Sequence, residues 1–395
     1  MSTGSSIAAL LTGTAFGWAG AVCALPLDQA ADPLIVAARD TCERIVLASY
    51  EDSHAATRKL RDAVRSFVSA PSAEALETAK REWMAAREPY GQTEPYRFCG
   101  GPIDSKGGPE LLLNAWPVDE AYLDEIPATG VTSIIADEKQ YPHIDKELIG
   151  RLNTVEGEKN ITCGWHALEF LLWGRDLAPD GPGARPWTDF TTARWAGRRR
   201  DFLLAAAERL CDDLAPLVTT WTAGDPAHHR AKFHALPADD ALRTVVKGMV
   251  MLATFELAGE RIGVPLDSQS QEEEQSCFSD TTHRDLVFNI QGLVNLWEGK
   301  YRRTDGSSIQ GQGLRDITEA RDATLAATLT AGLQDCLEKA KALPVPFDRS
   351  IVAPPNDPGP RALRALQSSL EQFGQQLKEF AVRLGKPFDP AEFEG

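Results

Sequence analysis

Gly164-Trp165-His166-Ala167-Leu168-Glu169-Phe170-Leu171-Leu172-Trp173-Gly174-Arg175-Asp176 is the stretch on which the fold of this chain depends. Between Ala167 and Trp173 every residue except Glu169 is apolar and no proline occurs, which predicts a short buried helix. His166 and Glu169 lie about 60° apart around such a helix, so their side chains leave from one face. The segment therefore combines core packing with a pair of polar side chains.

An imidazole and a carboxylate buried among leucines and a phenylalanine each need a polar partner, because an unpaired buried polar group is costly. A metal ion is one such partner, since neutral imidazole nitrogens and carboxylate oxygens are common ligands. A direct bond between His166 and Glu169, or a bond to nearby backbone, is the structural alternative. Gly164 precedes the histidine, where a side chain would block the close approach of a ligand or another backbone. Spacing alone leaves both interpretations open.

The run 164–174 resembles the Gly-x-His-x-x-Glu signature of the imelysin-like family. That family consists of bacterial envelope proteins once catalogued as insulin-cleaving metallopeptidases and now tied to iron uptake. Three further blocks match its pattern in the expected order: 90–98 (YGQTEPYRF), 114–119 (NAWPVD) and 259–285 (GERIGVPLDSQSQEEEQSCFSDTTHRD). Cys163 departs from the pattern, which has a small residue before the motif glycine.

The resemblance and the local sequence together predict a metal site. The predicted ligands are His166, Glu169, Glu94, His283 and Asp280. Glu94 follows a helix and precedes a proline, while Asp280 and His283 belong to the matching CFSDTTH segment, in which an ordinary solvated acidic loop is the alternative. The predicted site-lining residues are Gly164, Arg87, Tyr90, Trp116, Asp119, Glu260 and Arg261.

The rest of the chain predicts an all-α protein. Asp32 and Ser72 are placed to cap two long helices, and the segments 187–221, 239–262 and 286–297 have helical patterns. Leucines and phenylalanines from Leu363 to Leu384 recur at alternating intervals of three and four residues, which is typical of a helix packed lengthwise in a bundle. About eight long helices suit two four-helix-bundle-like domains side by side, and the resemblance implies the same. We expect essentially no sheet.

The domain limits follow from composition. Residues 5–24 are uncharged, largely apolar and end in a small-residue site, so 1–24 is predicted to be a signal peptide. A Pro- and Gly-rich linker at 179–186 then separates an N-terminal bundle (30–185), which carries the His-x-x-Glu motif, from a C-terminal bundle (186–395). The protein is accordingly expected in the periplasm or cell envelope, with a lipid anchor at Cys23 as the less favoured alternative.

Charge and the absence of other motifs limit the functional classes. The formal net charge is −16, which disfavours binding to nucleic acid. The sequence contains no His-Glu-x-x-His, Gly-x-Ser-x-Gly, phosphate-loop or dinucleotide-binding motif, so no organic cofactor is expected. Our first hypothesis is an exported protein that binds iron or zinc, or a metal chelate, between the two bundles, with another envelope protein of an iron-uptake system as a partner. The alternatives are a metallopeptidase using His166 and Glu169, and a helical scaffold that binds a partner protein without metal.

Overall fold

The computed structural model describes residues 32–178 and 180–393, and this part of the chain is almost entirely helical, which confirms the all-α prediction. The predicted signal peptide and Cys23 lie outside the described residues. No helix of the described ranges is both long enough and apolar enough to cross a membrane. The six cysteines of these ranges are unpaired: Cys42, Cys99, Cys163, Cys211, Cys277 and Cys336.

Fifteen α-helices are found in the described residues. They are α1 Pro33–Ser69, α2 Ala73–Gly91, α3 Glu110–Leu113, α4 Glu120–Leu123, α5 Lys146–Leu152, α6 Gly164–Trp173, α7 Ala196–Trp221, α8 His229–Ala235, α9 Ala238–Met251, α10 Val264–Ser268, α11 Thr282–Glu298, α12 Leu314–Arg321, α13 Ala323–Lys341, α14 Phe347–Val352 and α15 Pro358–Arg383. A π-helical segment, Leu252–Gly263, joins α9 to α10 without a break.

The long helices form two groups. In the first, α1 packs on α2 and α7, and α6 packs on α2 and α7. In the second, α15 packs on α9, the π-helical segment and α13, and α13 also packs on α11. Contacts of α1 with α9 and of α2 with α11 join the groups. Helix α7 follows residue 186 in the sequence but packs with the first group. The predicted domain limit at 185/186 stays a prediction.

The caps explain where the first helices begin. The Asp32 carboxylate accepts from the Leu34 amide at 2.9 Å, and the Ser72 hydroxyl accepts from the Ala75 amide at 3.2 Å. The start of α7 differs from the prediction, which began at residue 187. A 3₁₀ turn, Trp187–Phe190, comes first, and α7 starts only after Trp195, whose φ of 68° interrupts the helix.

One short hairpin departs from the expected absence of sheet in the described ranges. Strands β1 (Lys300–Arg302) and β2 (Ser308–Gln310) pair antiparallel. The buried Tyr301 hydroxyl donates to the Asp52 carboxylate of α1 at 3.0 Å, which fixes the hairpin to the first group of helices. Strands of three residues are too short for an alternating pattern to reveal them.

A buried ion-pair network joins the end of α4 to α7. The carboxylate of Asp124 accepts from Nε and Nη2 of Arg199 at 2.7 and 2.9 Å and from Nη1 of Arg185 at 2.8 Å. Burial opposes ionisation of Asp124, but the two guanidiniums outweigh it and lower its pKa to about 2. A carboxylate with a depressed pKa stabilises the folded state above its unfolded pKa, and this stabilisation is lost as the pH falls through the folded pKa.

We therefore expect Asp124→Asn to cost about 2 kcal/mol at neutral pH, the equivalent of the lowered pKa. The difference in unfolding free energy between wild type and variant should shrink as the pH is lowered from about 5 to about 2, through the unfolded and then the folded pKa of Asp124. Urea denaturation across this range measures it. A difference that is independent of pH would show that the network stabilises the fold through its shape rather than its charge.

Candidate functional site

The motif helix α6 begins against the backbone of α3. Gly164 has a φ of 84°, and a Cβ placed on it would lie 2.5 Å from the carbonyl oxygen of Leu113. Only glycine avoids both the unfavourable backbone conformation and this collision. The close approach predicted from the sequence is therefore an approach of protein backbone, and it fixes the start of α6 beside the 114–119 block.

His166 and Glu169 contact each other in the buried core. Nδ1 of His166 lies 2.9 Å from Oε2 of Glu169, and both side chains are at most 1% exposed. The other carboxylate oxygen of Glu169 accepts from the amide and the hydroxyl of Ser279 at 2.9 and 2.6 Å. These three bonds fix the orientation of the imidazole ring. The structural alternative weighed for this motif, a direct His–Glu bond, is present.

The second ring nitrogen of His166, Nε2, differs from Nδ1 in its hydrogen bonding. Nε2 is buried and has no hydrogen-bond partner among the described residues. Burial, with Arg87 and Arg261 nearby, lowers the pKa of His166 well below its usual value, so the ring is neutral at physiological pH. In the tautomer that places the proton on Nδ1, Nε2 carries a free lone pair. An imidazole oriented by a carboxylate through one nitrogen is a common arrangement for binding metal through the other.

The same burial shifts the pKa of Glu169 in the opposite direction, upwards. Burial raises its pKa to about 8, although the bonds from Ser279 and the nearby Arg87 favour the ionised form. A positive charge placed at the imidazole would favour the carboxylate. The motif pair, defined as His166 and Glu169, can therefore accommodate a cation by losing a proton.

A chain of hydrogen bonds runs from α11 through Arg87 to Glu94. Arg87 donates to Asp285 from Nε at 3.1 Å and to the Asn114 side-chain oxygen from Nη1 at 2.7 Å. The Asn114 amide donates in turn to Oε1 of Glu94 at 3.3 Å. The predicted lining residue Arg87 thus connects α2, the 114–119 block and α11.

Glu94 belongs to a buried arginine cluster, which we define as Glu94, Arg97, Glu110, Glu256 and Arg261. Nη2 of Arg261 donates to Oε2 of Glu94 at 2.7 Å and to Oε1 of Glu256 at 2.8 Å. Nη1 of Arg97 donates to the same two carboxylates at 3.1 and 2.9 Å, and its Nε lies 3.2 Å from Glu110. The predicted metal ligand Glu94 is therefore already paired with two guanidiniums.

The arginine cluster has three acids and two bases, and the pKa values separate accordingly. Burial opposes the ionisation of Glu94 and Glu256, but the two arginines outweigh it, which lowers the pKa of Glu94 and sets that of Glu256 to about 2. Burial and the neighbouring Glu94 raise the pKa of Glu110 to about 7, against the attraction of Arg97. Glu110 is therefore the carboxylate of the arginine cluster whose ionised form is least stabilised.

The arginine cluster forms one side of a cleft of about 730 Å³. Residues lining this cleft include Arg97, Glu110, Asn114, Trp116 and Glu256. His166 and Glu169 are not among them. Asn114 is the connection, because it lines the cleft and also bonds Arg87, which acts electrostatically on His166.

The other predicted residues have varied surroundings. Tyr90 packs its ring 5.2 Å from that of Trp165, and its buried hydroxyl lacks a partner in the described ranges. Asp119 caps α4 by accepting from the amides of Ala121 and Tyr122. Glu260 is half-buried, while its neighbour Arg261 bonds Glu94 and Glu256 instead of it.

The five predicted ligands do not converge on one point. His166 and Glu169 bond each other, Glu94 pairs with Arg261, and Asp280 lies with Asp176 and Asp348. His283 stands in the first turn of α11 with its Nδ1 buried and unpartnered among the described residues. The joint ligand set therefore stays a prediction.

Several residues of this region were missed by the sequence analysis. They are Arg97, Glu110, Glu256, Ser279, Asp176 and Asp348. Arg97 and Ser279 lie inside blocks that carry the family resemblance, and this was the only signal available for them. Asp348 lies in none of those blocks, and no local pattern indicates it.

Comparisons with known proteins agree with the fold. The model of the imelysin family matches residues 46–377. A protein from Synechococcus elongatus named iron-regulated protein A is 26% identical over 321 residues, which cover 79% of this chain and 76% of that protein. A crystal structure named for an iron-regulated protein A precursor of Parabacteroides distasonis superposes with a TM-score of 0.68 at 20% identity, covering 90% of this chain and 98% of the other. An imelysin-like protein from Psychrobacter arcticus gives a TM-score of 0.58 at 14% identity, with 88% and 97% covered.

Proposed function

This chain belongs to the imelysin family, and we propose that it serves iron acquisition in the cell envelope by binding iron or another metal, as an ion or as a chelate, through His166. Its similarity to iron-regulated protein A supports a role connected with iron. The proposal extends to the predicted export of the chain and to a partner in an iron-uptake system.

The observation that supports this proposal most directly is the unpartnered Nε2 of His166. A buried polar atom without a partner is costly, so its retention is explained when a ligand supplies the missing interaction. The Nδ1 bond to Glu169, itself fixed by Ser279, sets the ring in one orientation. In this proposal Glu169 orients the ligand residue, and His166 supplies the bond to the metal.

The charges around the motif pair favour a ligand that brings its own donor groups. Arg87 and Arg261 act on His166, and the nearby Glu94 is neutralised by Arg97 and Arg261. A bare ion would therefore find one imidazole and few free carboxylates, whereas a chelate carries most of its metal's ligands with it. The cleft of about 730 Å³ beside Asn114 and Glu110 is large enough for a small organic chelator, and it is linked to His166 through Asn114 and Arg87 rather than lined by it.

We expect His166→Ala to weaken metal binding by about 10-fold or more, because it removes a ligand and not only a supporting group. Isothermal titration with Fe(II), Zn(II) and a ferric chelate measures this in wild type and variant. His143→Ala is the matched control, since His143 is exposed, and it should bind as wild type does. Glu169→Gln should give an intermediate loss.

Equal affinity in wild type and His166→Ala would contradict the proposal, as would the absence of binding to the wild type.

The metallopeptidase alternative has no separate support from the site. A catalytic zinc normally has three protein ligands. The two groups of three ligand residues found in the described ranges contain neither His166 nor Glu169. Chelator-sensitive cleavage of an unfolded polypeptide, lost in Glu169→Ala, would reverse this ranking.

A further inference from the structure

A second group of acidic residues lies where three segments meet. Asp176 follows the motif helix α6, Glu274 and Asp280 belong to the irregular segment before α11, and Asp348 is on α14. Carboxylate oxygens of Asp176, Asp280 and Asp348 lie within 4.8 Å of one another. Glu274 adjoins Asp348 as well. We call these four residues the carboxylate cluster.

The carboxylate cluster is buried and has few hydrogen-bond donors. Asp348 is 0%, Glu274 1%, Asp176 5% and Asp280 6% exposed. Both carboxylate oxygens of Glu274, Asp280 and Asp348 have no partner among the described residues. Asp176 alone is bonded, by the Gln271 amide at 2.9 Å and the Ala178 backbone at 3.2 Å. Buried carboxylate oxygens normally have partners, and a bound cation is a partner that would satisfy several of these oxygens at once.

The charges in the carboxylate cluster have one sign. Among the described residues, no lysine or arginine forms an ion pair with any of the four side chains, and the one side-chain donor to Asp176 is the neutral amide of Gln271. Repulsion between like charges at this distance is strong in a buried setting. A bound cation would remove it.

A second group of potential metal ligands in the described residues is neutralised by arginine side chains. Asp40, Glu43 and His234 also lie within ligand distance of one another. There, Arg230 lies 3.1 Å from Glu43, and Arg39 lies 2.9 Å from Asp40. Arginine side chains supply the positive charge, so that group needs no ion. The carboxylate cluster has no equivalent pair in the described part of the chain.

We propose that the carboxylate cluster binds a divalent cation of the calcium type. Carboxylate oxygens are the preferred ligands of hard cations. Ca²⁺ accepts six to eight oxygen ligands, whereas Mg²⁺ keeps several waters and is usually held by only one or two carboxylates. The carboxylate cluster offers four protein carboxylates from three segments, which suits Ca²⁺ better than Mg²⁺. Glu274 and water complete the coordination of Ca²⁺.

The cation joins three segments that are far apart in the sequence, one of which directly follows the motif helix. It links the residue three positions after α6 to α14, and it fixes Asp280, whose neighbour Ser279 donates to Glu169. Binding at the carboxylate cluster therefore orders the loop that orients Glu169 and, through it, His166. This inference does not depend on which metal His166 binds, or on whether it binds one.

The test uses the full chain treated with a chelator and then titrated with CaCl₂ or MgCl₂, followed by calorimetry and thermal unfolding. Ca²⁺ is expected to raise the melting temperature of the wild type, and Mg²⁺ to raise it less at the same concentration. Asp348→Asn should weaken Ca²⁺ binding by about 10-fold or more. The same variant should raise the melting temperature of the chelator-treated protein, since it removes a repelling charge. Asp40→Asn is the matched control and should retain the calcium response.

The absence of a calcium response in the wild type, or an equal response in Asp348→Asn, would overturn the proposal. A variant that fails to fold after chelator treatment would also overturn it, because the carboxylate would then be needed without a cation; Asp280→Asn repeats the measurement at a second position. His166→Ala distinguishes the two sites. It should bind Ca²⁺ as wild type does, whatever its effect on iron.

Discussion

Arg261→Met is expected to cost about 3–5 kcal/mol of unfolding free energy, the usual result of removing one partner from a buried ion pair. Arg261 is completely buried, and its guanidinium bonds Glu94, Glu256 and the Asn289 side-chain oxygen. Methionine nearly fills the space but leaves two buried carboxylates with only Arg97 between them. The charge that remains uncompensated, more than the lost contacts, accounts for the size of the effect.

Chemical denaturation of Arg261→Met and Arg364→Met provides the comparison. Arg364 forms an exposed ion pair with Asp267, with 46% and 73% of their side chains accessible, so the same change there should cost at most about 1 kcal/mol. Adding Glu94→Gln to Arg261→Met should recover part of the loss, because it removes one of the stranded charges. A loss below about 1 kcal/mol in Arg261→Met would show that the cluster repacks or admits water.

The ion pair between Glu256 and Arg261 is a contact that the sequence could not predict. The two residues are five positions apart, which places them on different faces of an ordinary α-helix. They share a face here because residues Leu252–Gly263 form a π-helix, whose hydrogen bonds connect residues five apart. A periodicity of 3.6 residues was assumed for 239–262, so the segment was correctly predicted to be helical while its internal contacts were missed.

Other features were within reach of local rules. The caps at Asp32 and Ser72, the buried character of α6 and the role of Gly164 follow from a few neighbouring residues, and the structure confirms them. Local rules could not predict the carboxylate cluster, because Asp176 and Asp348 are brought together only by the tertiary fold. The block resemblance indicated Asp280 but paired it with His166. Long-range packing decides which acidic residues meet, and no spacing rule encodes it.

Leu171→Ala is expected to cost about 2–5 kcal/mol, the range for a buried leucine whose cavity does not collapse. All ten residues of α6 are buried, and Leu171 is 0% exposed within the core. The face of α6 that carries His166 and Glu169 is as enclosed as the face that carries Leu171. The surroundings of Leu171 therefore have little freedom to relax.

His166→Gln should cost less, about 0.5–1.5 kcal/mol, because glutamine is of similar size and the main loss is one hydrogen bond to Glu169. Thermal and chemical unfolding of the two variants, without added metal, measures the difference. The expected order follows from function: an imidazole whose Nε2 has no partner contributes less to stability than its burial would suggest. If His166→Gln is instead the more damaging of the two, the core requires the bond between His166 and Glu169 for its stability. The unpartnered Nε2 of His166 would then result from that bond and not from a role in metal binding.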